Sequence, residues 1–323
     1  MRYDTDINRN EKWIRRALIA LAIGFLTIFL IVPLMLIFTE ALRRGWGVYT
    51  RSLTDPCTVA AIQLTLLVVA IVVPLNTFFG IVAAWAVARF RFRGRQLLVT
   101  LIDLPYSVSP VISGLIFILL FGRQGWLGDW LAQRNISIIF AFPGIVLATL
   151  FVTFPFVARE LIPLMESQGN DEEEAAILLG ASGLQTFWYV TLPNIRWGLL
   201  YGVLLCTGRA LGEFGAVVVV SGAIRGETMT MPLQIETLYN EYQITAAFAV
   251  ASLLTFMALV TLVTRVFFEW KQKRAIRVGA MELAFPTAAA ERTAVERTAA
   301  VLGTMATKTT EKQSDEVPRR GPK

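Results

Sequence analysis

The stretch Glu166–Trp197, ESQGNDEEEAAILLGASGLQTFWYVTLPNIRW, is a polar island between long apolar runs, and its order is readable. Asn170 is a good N-cap, Glu173 stands three residues on as in a capping box, and Asp171, Glu172 and Glu173 suit the positive end of a helix dipole. Residues Ala175 to Leu179 continue that helix until Gly180 and Gly183 permit a sharp turn. A second short apolar helix is expected over Leu184 to Val190, and Pro193 is expected to open a new element. Two small helices set at an angle on a membrane surface make a shape suited to being held by another protein.

Outward from the island the chain has the character of a membrane protein. It has 323 residues, 55% hydrophobic and 17% charged, with a mean hydropathy of +0.58. A water-soluble chain would not leave so many segments of spanning length without charge. Spans are expected at 17–38, within 59–88, and at 97–122, 136–158, 197–224 and 244–264, which makes an all-α integral membrane protein of six transmembrane helices. Pro74, Asn76 and Gly80 predict a kink or tilt in the second span. The apolar run after Arg15 and Arg16 is too long for a cleavable leader and lacks a small-residue cleavage site, so it is expected to stay as an anchor.

Lys and Arg give the orientation. With the N-terminus inside, inner segments hold Arg2, Arg9, Lys12, Arg15, Arg16, Arg89, Arg91, Arg93, Arg95, Arg159, Arg196, Lys271, Lys273, Arg274 and Arg277. The outer loops hold Arg43, Arg44, Arg51, Arg123, Arg134 and Arg225, so fifteen stand against six. Both termini and the island are then expected in the cytoplasm. The alternating arginines of RFRFRGR, from Arg89 to Arg95, read as a positive-inside stop at a cytoplasmic turn. The net charge of +6 is carried beside the spans, which argues for orientation and against nucleic-acid binding.

The composition also removes chemistries. Histidine is absent, which excludes Ser–His nucleophile activation, His metal ligands and His proton relays. Cys57, expected in a loop, and Cys206, in an apolar helix, are far apart, have no metal-ligand spacing and are not expected to pair. No Gly-x-x-x-x-Gly-Lys-Ser/Thr run occurs, so the chain is not expected to hydrolyse ATP or to hold a cofactor of its own.

Two spans carry candidate path residues. Arg209 and Glu213 lie four apart in the fifth span, on one helix face where they can pair. Charges near a bilayer centre cost about 2.5–3.5 kcal/mol each on insertion scales, so both should face protein or water. The pair reads either as an ion pair locking the bundle or as a wall or gate of a translocation path. Gly198, Gly202, Gly208, Gly212 and Gly215 beside it read as surfaces for close helix packing. In the third span Pro105 and Pro110 bracket Ser107 and Ser109. That break reads equally as a plain kink or as freed amides and hydroxyls lining an anion path.

The island matches a known pattern. Glu174-Ala175-Ala176, then Gly180, then Val190-x-Leu192-Pro193, resembles the EAA signature of ABC importer permeases, with Val190 where that signature has Ile. More widely, about Trp13 to Lys273 resembles the W-type permease subunits of bacterial sulfate/thiosulfate ABC importers. The most telling stretches are DLPYSVSPVISGL at Asp103–Leu115, GRALGEFGAVVVVSGAIRGETMTMPLQIE at Gly208–Glu236, and LYNEY at Leu238–Tyr242. The Arg209–Gly215 core is also similar to molybdate permeases, so it marks the oxyanion group in general.

The resemblance implies a type I ABC importer permease fold in a bacterial inner membrane. The island would be the coupling loop, with Glu174, Ala175, Ala176, Gly180, Val190, Leu192 and Pro193 meeting the ATPase. It implies a heterodimer with a sister T-type permease, two copies of a cytoplasmic ATPase that hydrolyses ATP with Mg, and a periplasmic sulfate/thiosulfate-binding protein. The expected organisation is a cytoplasmic tail at 1–16, the first helix and a periplasmic loop at 17–56, the permease domain at 57–270 with coupling loop 166–197, and a cytoplasmic tail, disordered by composition, at 271–323. A molybdate permease is the nearest alternative. An ion-gradient-driven secondary transporter is a further one, but it leaves the island unexplained.

Overall fold

A computed structural model describes residues 9–270; the expected tail at 271–323, with its AERTA/VERTA echo, lies outside them. The helices, in order, are α1 Trp13–Leu42, α2 Trp46–Thr54, α3 Pro56–Arg89, α4 Arg95–Ser107, α5 Pro110–Phe121, α6 Gly128–Gln133 and α7 Phe142–Gln168. Then follow α8 Asp171–Leu178, α9 Gly183–Leu211, α10 Gly215–Ser221, α11 Met231–Asn240 and α12 Ile244–Trp270. Four of these (α1, α3, α7 and α12) are long and apolar enough to cross a membrane, and six spans result if the bent pairs α4/α5 and α9/α10 each count as one. The chain divides into Met1–Arg265 and a second unit from Val266, of which only the end of α12 is described.

The centre of the first unit is a seam between α3, α7 and α9. Ala84, Val157, Leu161, Met165, Ile195 and Cys206 are fully buried together there. Gly80 is what lets α3 and α7 approach: a Cβ on it would lie 2.8 Å from the Val157 Cβ. Asn76, also buried, donates from Nδ2 to Thr153 Oγ1 at 2.7 Å. Asn76 and Gly80, two of the three residues expected to bend or tilt the second span, thus also pack it, and Pro56–Arg89 runs as one helix with Pro74 inside it. A second core joins Val68 and Val72 of α3 to Ile145, Val217, Met229 and Leu233. Cys57 lies in the first turn of α3 rather than in a loop, its N–H accepted by the Asp55 side chain. Both cysteines are free thiols.

Three boundaries differ from expectation. Residues 136–141 are apolar but not helical, and α7 starts at Phe142 with Pro143 in its first turn. At its other end α7 runs on to Gln168, so Arg159 sits inside the helix rather than in a loop. Pro193 does stand in the first turn of an α-helical stretch, Leu192–Leu211, but that stretch continues from the preceding turns as one helix, Gly183–Leu211, rather than as a separate rod. A wide turn over Phe187–Thr191 absorbs the proline: the Leu192 N–H reaches back to the Phe187 carbonyl. The same device precedes Pro33 in α1, where the Val32 N–H reaches the Thr27 carbonyl. In each case the hydrogen-bond ladder slips by one residue just before a residue that has no N–H to offer.

Candidate functional site

The island is built on α8 and the first half of α9. Gly180 closes α8 with φ +91°, a backbone that only glycine adopts without strain, and the chain reverses there into Ser182. Ser182 and Gln185 form the capping box of α9: the Ser182 N–H donates to Gln185 Oε1 at 2.8 Å and the Gln185 N–H to Ser182 Oγ at 3.4 Å. The S-x-x-Q spacing was legible in the sequence. The box expected at Asn170 and Glu173 does not form, since Asn170 makes no side-chain cap.

Those two residues are taken by Arg89. Its Nε lies 2.9 Å from Glu173 Oε2, and its Nη1 donates to the Met165 carbonyl at 2.7 Å and to Asn170 Oδ1 at 2.9 Å. The two side chains are only 8% and 13% exposed, so this is a shielded pair and not a surface one. Glu173 also accepts from Thr191 Oγ1 at 2.7 Å, and Asn194 donates to Glu172. The end of α3, α8 and the wide turn of α9 are thus tied into one latch. Arg95 adds an ion pair to Glu166 and donates from Nε to the Val87 carbonyl at 2.8 Å. Two of the four arginines assigned to membrane orientation thus hold the island in place.

Of the motif residues, Glu174, Ala175, Gly180 and Pro193 are exposed, while Ala176, Val190 and Leu192 are partly covered. Around them Leu178 is 87%, Leu179 90% and Tyr189 80% exposed. Apolar side chains held this far out on an ordered hairpin form a surface without a covering element among the described residues.

The second group lies where the two bent pairs meet. The break in the third span is a turn of 107° between α4 and α5, far sharper than a proline kink, and that between α9 and α10 is 51°. They abut at Gly215, where a Cβ would lie 3.0 Å from the Pro110 Cβ. Ser107 and Ser109 are exposed at the first break. At the second, Arg209 Nη1 lies 2.6 Å from Glu213 Oε2. Glu213 Oε1 also accepts from the Ala216 N–H at 3.0 Å, which caps α10. Glu213 is therefore fixed, with its side chain 1% exposed, while Arg209 is 32% exposed. The sequence reading missed a neighbouring pair, Arg159 with Asp103, 3.3 Å apart. Arg159 also lies over the Tyr106 ring at 4.9 Å. Asp103 was named only as the start of a stretch that carries the resemblance, and Arg159 was counted among the inner charges just beyond its span.

The chain is similar to known transport proteins over most of its length. Residues 76–277 match the family described as binding-protein-dependent transport system inner membrane component. The chain belongs to this family. A curated relative, the sulfate transport system permease protein CysW of Escherichia coli (strain K12), is 52% identical over 270 residues, covering 84% of this chain and 92% of the relative. The sulfate transport system permease protein CysT of the same organism is 37% identical over 238 residues, covering 74% and 86%. Among solved structures, a bacterial ABC transporter that imports the acidic polysaccharide alginate has a chain matching at TM-score 0.67 and 19% identity, over 83% of this chain and 97% of that one. The fold is that of an ABC importer permease, as this family predicts, and the island and the abutting breaks are both inside the matched region.

Proposed function

We propose that this chain is the W-type permease subunit of an ATP-driven importer of sulfate, with thiosulfate as a companion substrate. The observation that carries the reading is the 52% identity to a sulfate permease over most of both chains. The 37% identity to CysT supports a sister T-type permease as the other half of a heterodimer. The family description supports a periplasmic binding protein as the donor of the anion and an inner-membrane location. In this reading two copies of a cytoplasmic ATPase bind ATP and Mg, and one docks on Glu174, Ala175, Ala176, Gly180, Val190, Leu192 and Pro193. The termini and the island face the cytoplasm, and α9 carries the movement of the island to Arg209. Ser107, Ser109 and Arg209 border the path, while Glu213 positions Arg209.

The test is uptake of labelled sulfate by liposomes containing the assembled transporter and its binding protein, with and without ATP. A Glu174→Arg/Gly180→Trp variant runs beside it. Uptake that requires ATP and is lost in the variant is the expected result. Uptake driven by an ion gradient without ATP would overturn the mechanism, and ATP-driven uptake of molybdate but not sulfate would overturn the substrate.

A further inference from the structure

Arg159 and Asp103 are ionisable groups inside helices of the spanning set, and both side chains are partly exposed. Arg159 lies nine residues before the end of α7 and seventeen after its start, about 13 Å and 26 Å along the axis. Asp103 lies eight residues into α4, about 12 Å from its start. The side chains are 52% and 39% exposed, and neither charge can face lipid at that depth without a large cost. The face that bears them must meet protein or water. The Tyr106 hydroxyl lies within electrostatic range of Arg159, Asp103 and Arg209 together, so the two pairs share one neighbourhood.

The two pairs are built differently. Glu213 is bound to Arg209 and to a backbone N–H, and is sealed from solvent. Asp103 meets Arg159 through one 3.3 Å contact between half-exposed groups. A loose pair in reach of water is one in which another anion can replace the carboxylate. On the reading that this chain conducts an oxyanion, we propose that Arg159 is a second cationic station on the anion's route. Asp103 is its resident counter-ion, displaced as the dianion passes and returning once the anion has left. No bond is made or broken. The guanidinium exchanges one oxyanion partner for another, so a positive charge is never left bare at membrane depth.

The experiment uses the assembled transporter in liposomes, with sulfate uptake normalised to the complex recovered. Arg159→Gln is expected to lower uptake roughly 10- to 100-fold, the loss of one charge-assisted contact to the anion. Arg159→Lys should recover most of it. Asp103→Asn, which keeps the cation but removes the carboxylate that competes with the anion, should act in the opposite sense on binding, lowering KM for the anion while costing less uptake than Arg159→Gln. A swapped pair, Asp103→Arg/Arg159→Asp, should assemble but transport poorly, since an acid then stands in α7 where the anion needs a cation. Equal losses in Asp103→Asn and Arg159→Gln, failure of both to assemble, or full recovery in the swapped pair would each reduce the pair to a structural lock and overturn the proposal. If wild type carries another oxyanion and not sulfate, the substrate reading fails and the same comparison is made with that anion. A substrate without negative charge would overturn both.

Discussion

The two ends of α9 are held on different terms. At its start, the latch of Arg89, Asn170, Glu173 and Thr191 is shielded, charged and multiply bonded, yet the apolar residues beside it stand in the open. At its end, Glu213 is sealed beneath Arg209, yet the guanidiniums of Arg209 and Arg159 remain partly exposed. One end presents apolar surface on a polar anchor, and the other presents charge over a packed core. The first suits a permanent protein partner, because apolar contact needs no counter-charge. The second suits a transient anion, because charge without a tight partner binds and releases.

The largest expected effect breaks the first end. Arg89→Met leaves Glu173 shielded without its cation and should cost about 3–5 kcal/mol of stability, read as a fall in Tm of the purified complex. Adding Glu173→Leu should return most of that loss. A cost under about 1 kcal/mol for the single change would make the latch an ordinary surface pair. Next is the packing under the second end. A Cβ on Gly114 would lie 2.8 Å from the Val219 Cβ and 2.9 Å from the Ala216 carbonyl oxygen. Gly114→Ala should therefore cost about 1–3 kcal/mol by forcing α5 from α10. Gly208→Ala, where the nearest atom would be 3.5 Å away, is the control and should cost far less.

A smaller effect sharpens the comparison. Gly180→Ala must hold φ +91°, at about 1 kcal/mol, and should appear as faster amide hydrogen exchange over Asp171–Leu178 with the bundle unchanged. The smallest stability change belongs to Leu178→Ser/Leu179→Ser, within about 0.5 kcal/mol for such exposed positions. That variant should nonetheless lose the ATPase on co-purification. Retention of the ATPase would mean that the open apolar ridge is not the docking surface.

Hydropathy located all the long helices because it reads solvent preference, and the lipid-length runs are unmistakable. It failed at 136–141, where apolar residues belong to irregular backbone, since solvent preference says nothing about conformation. It misplaced Arg159 for a related reason: a charge was taken as the end of a span, although a counter-ion on α4 lets it sit within one. The cap at Asn170 and Glu173 was a sound local reading overruled from afar, by an arginine more than eighty residues earlier in sequence. Local rules rank neighbours along the chain and have no access to partners across the bundle.

The wide turn at Phe187–Thr191 has a consequence for engineering this molecule. One extra residue per turn rotates everything before it by about 100° around the helix axis. The island's azimuth relative to the bundle is therefore a matter of phase, set by five residues and the proline that follows them. The hairpin 171–186 grafted alone from another permease would dock in the wrong direction unless the turn travelled with it.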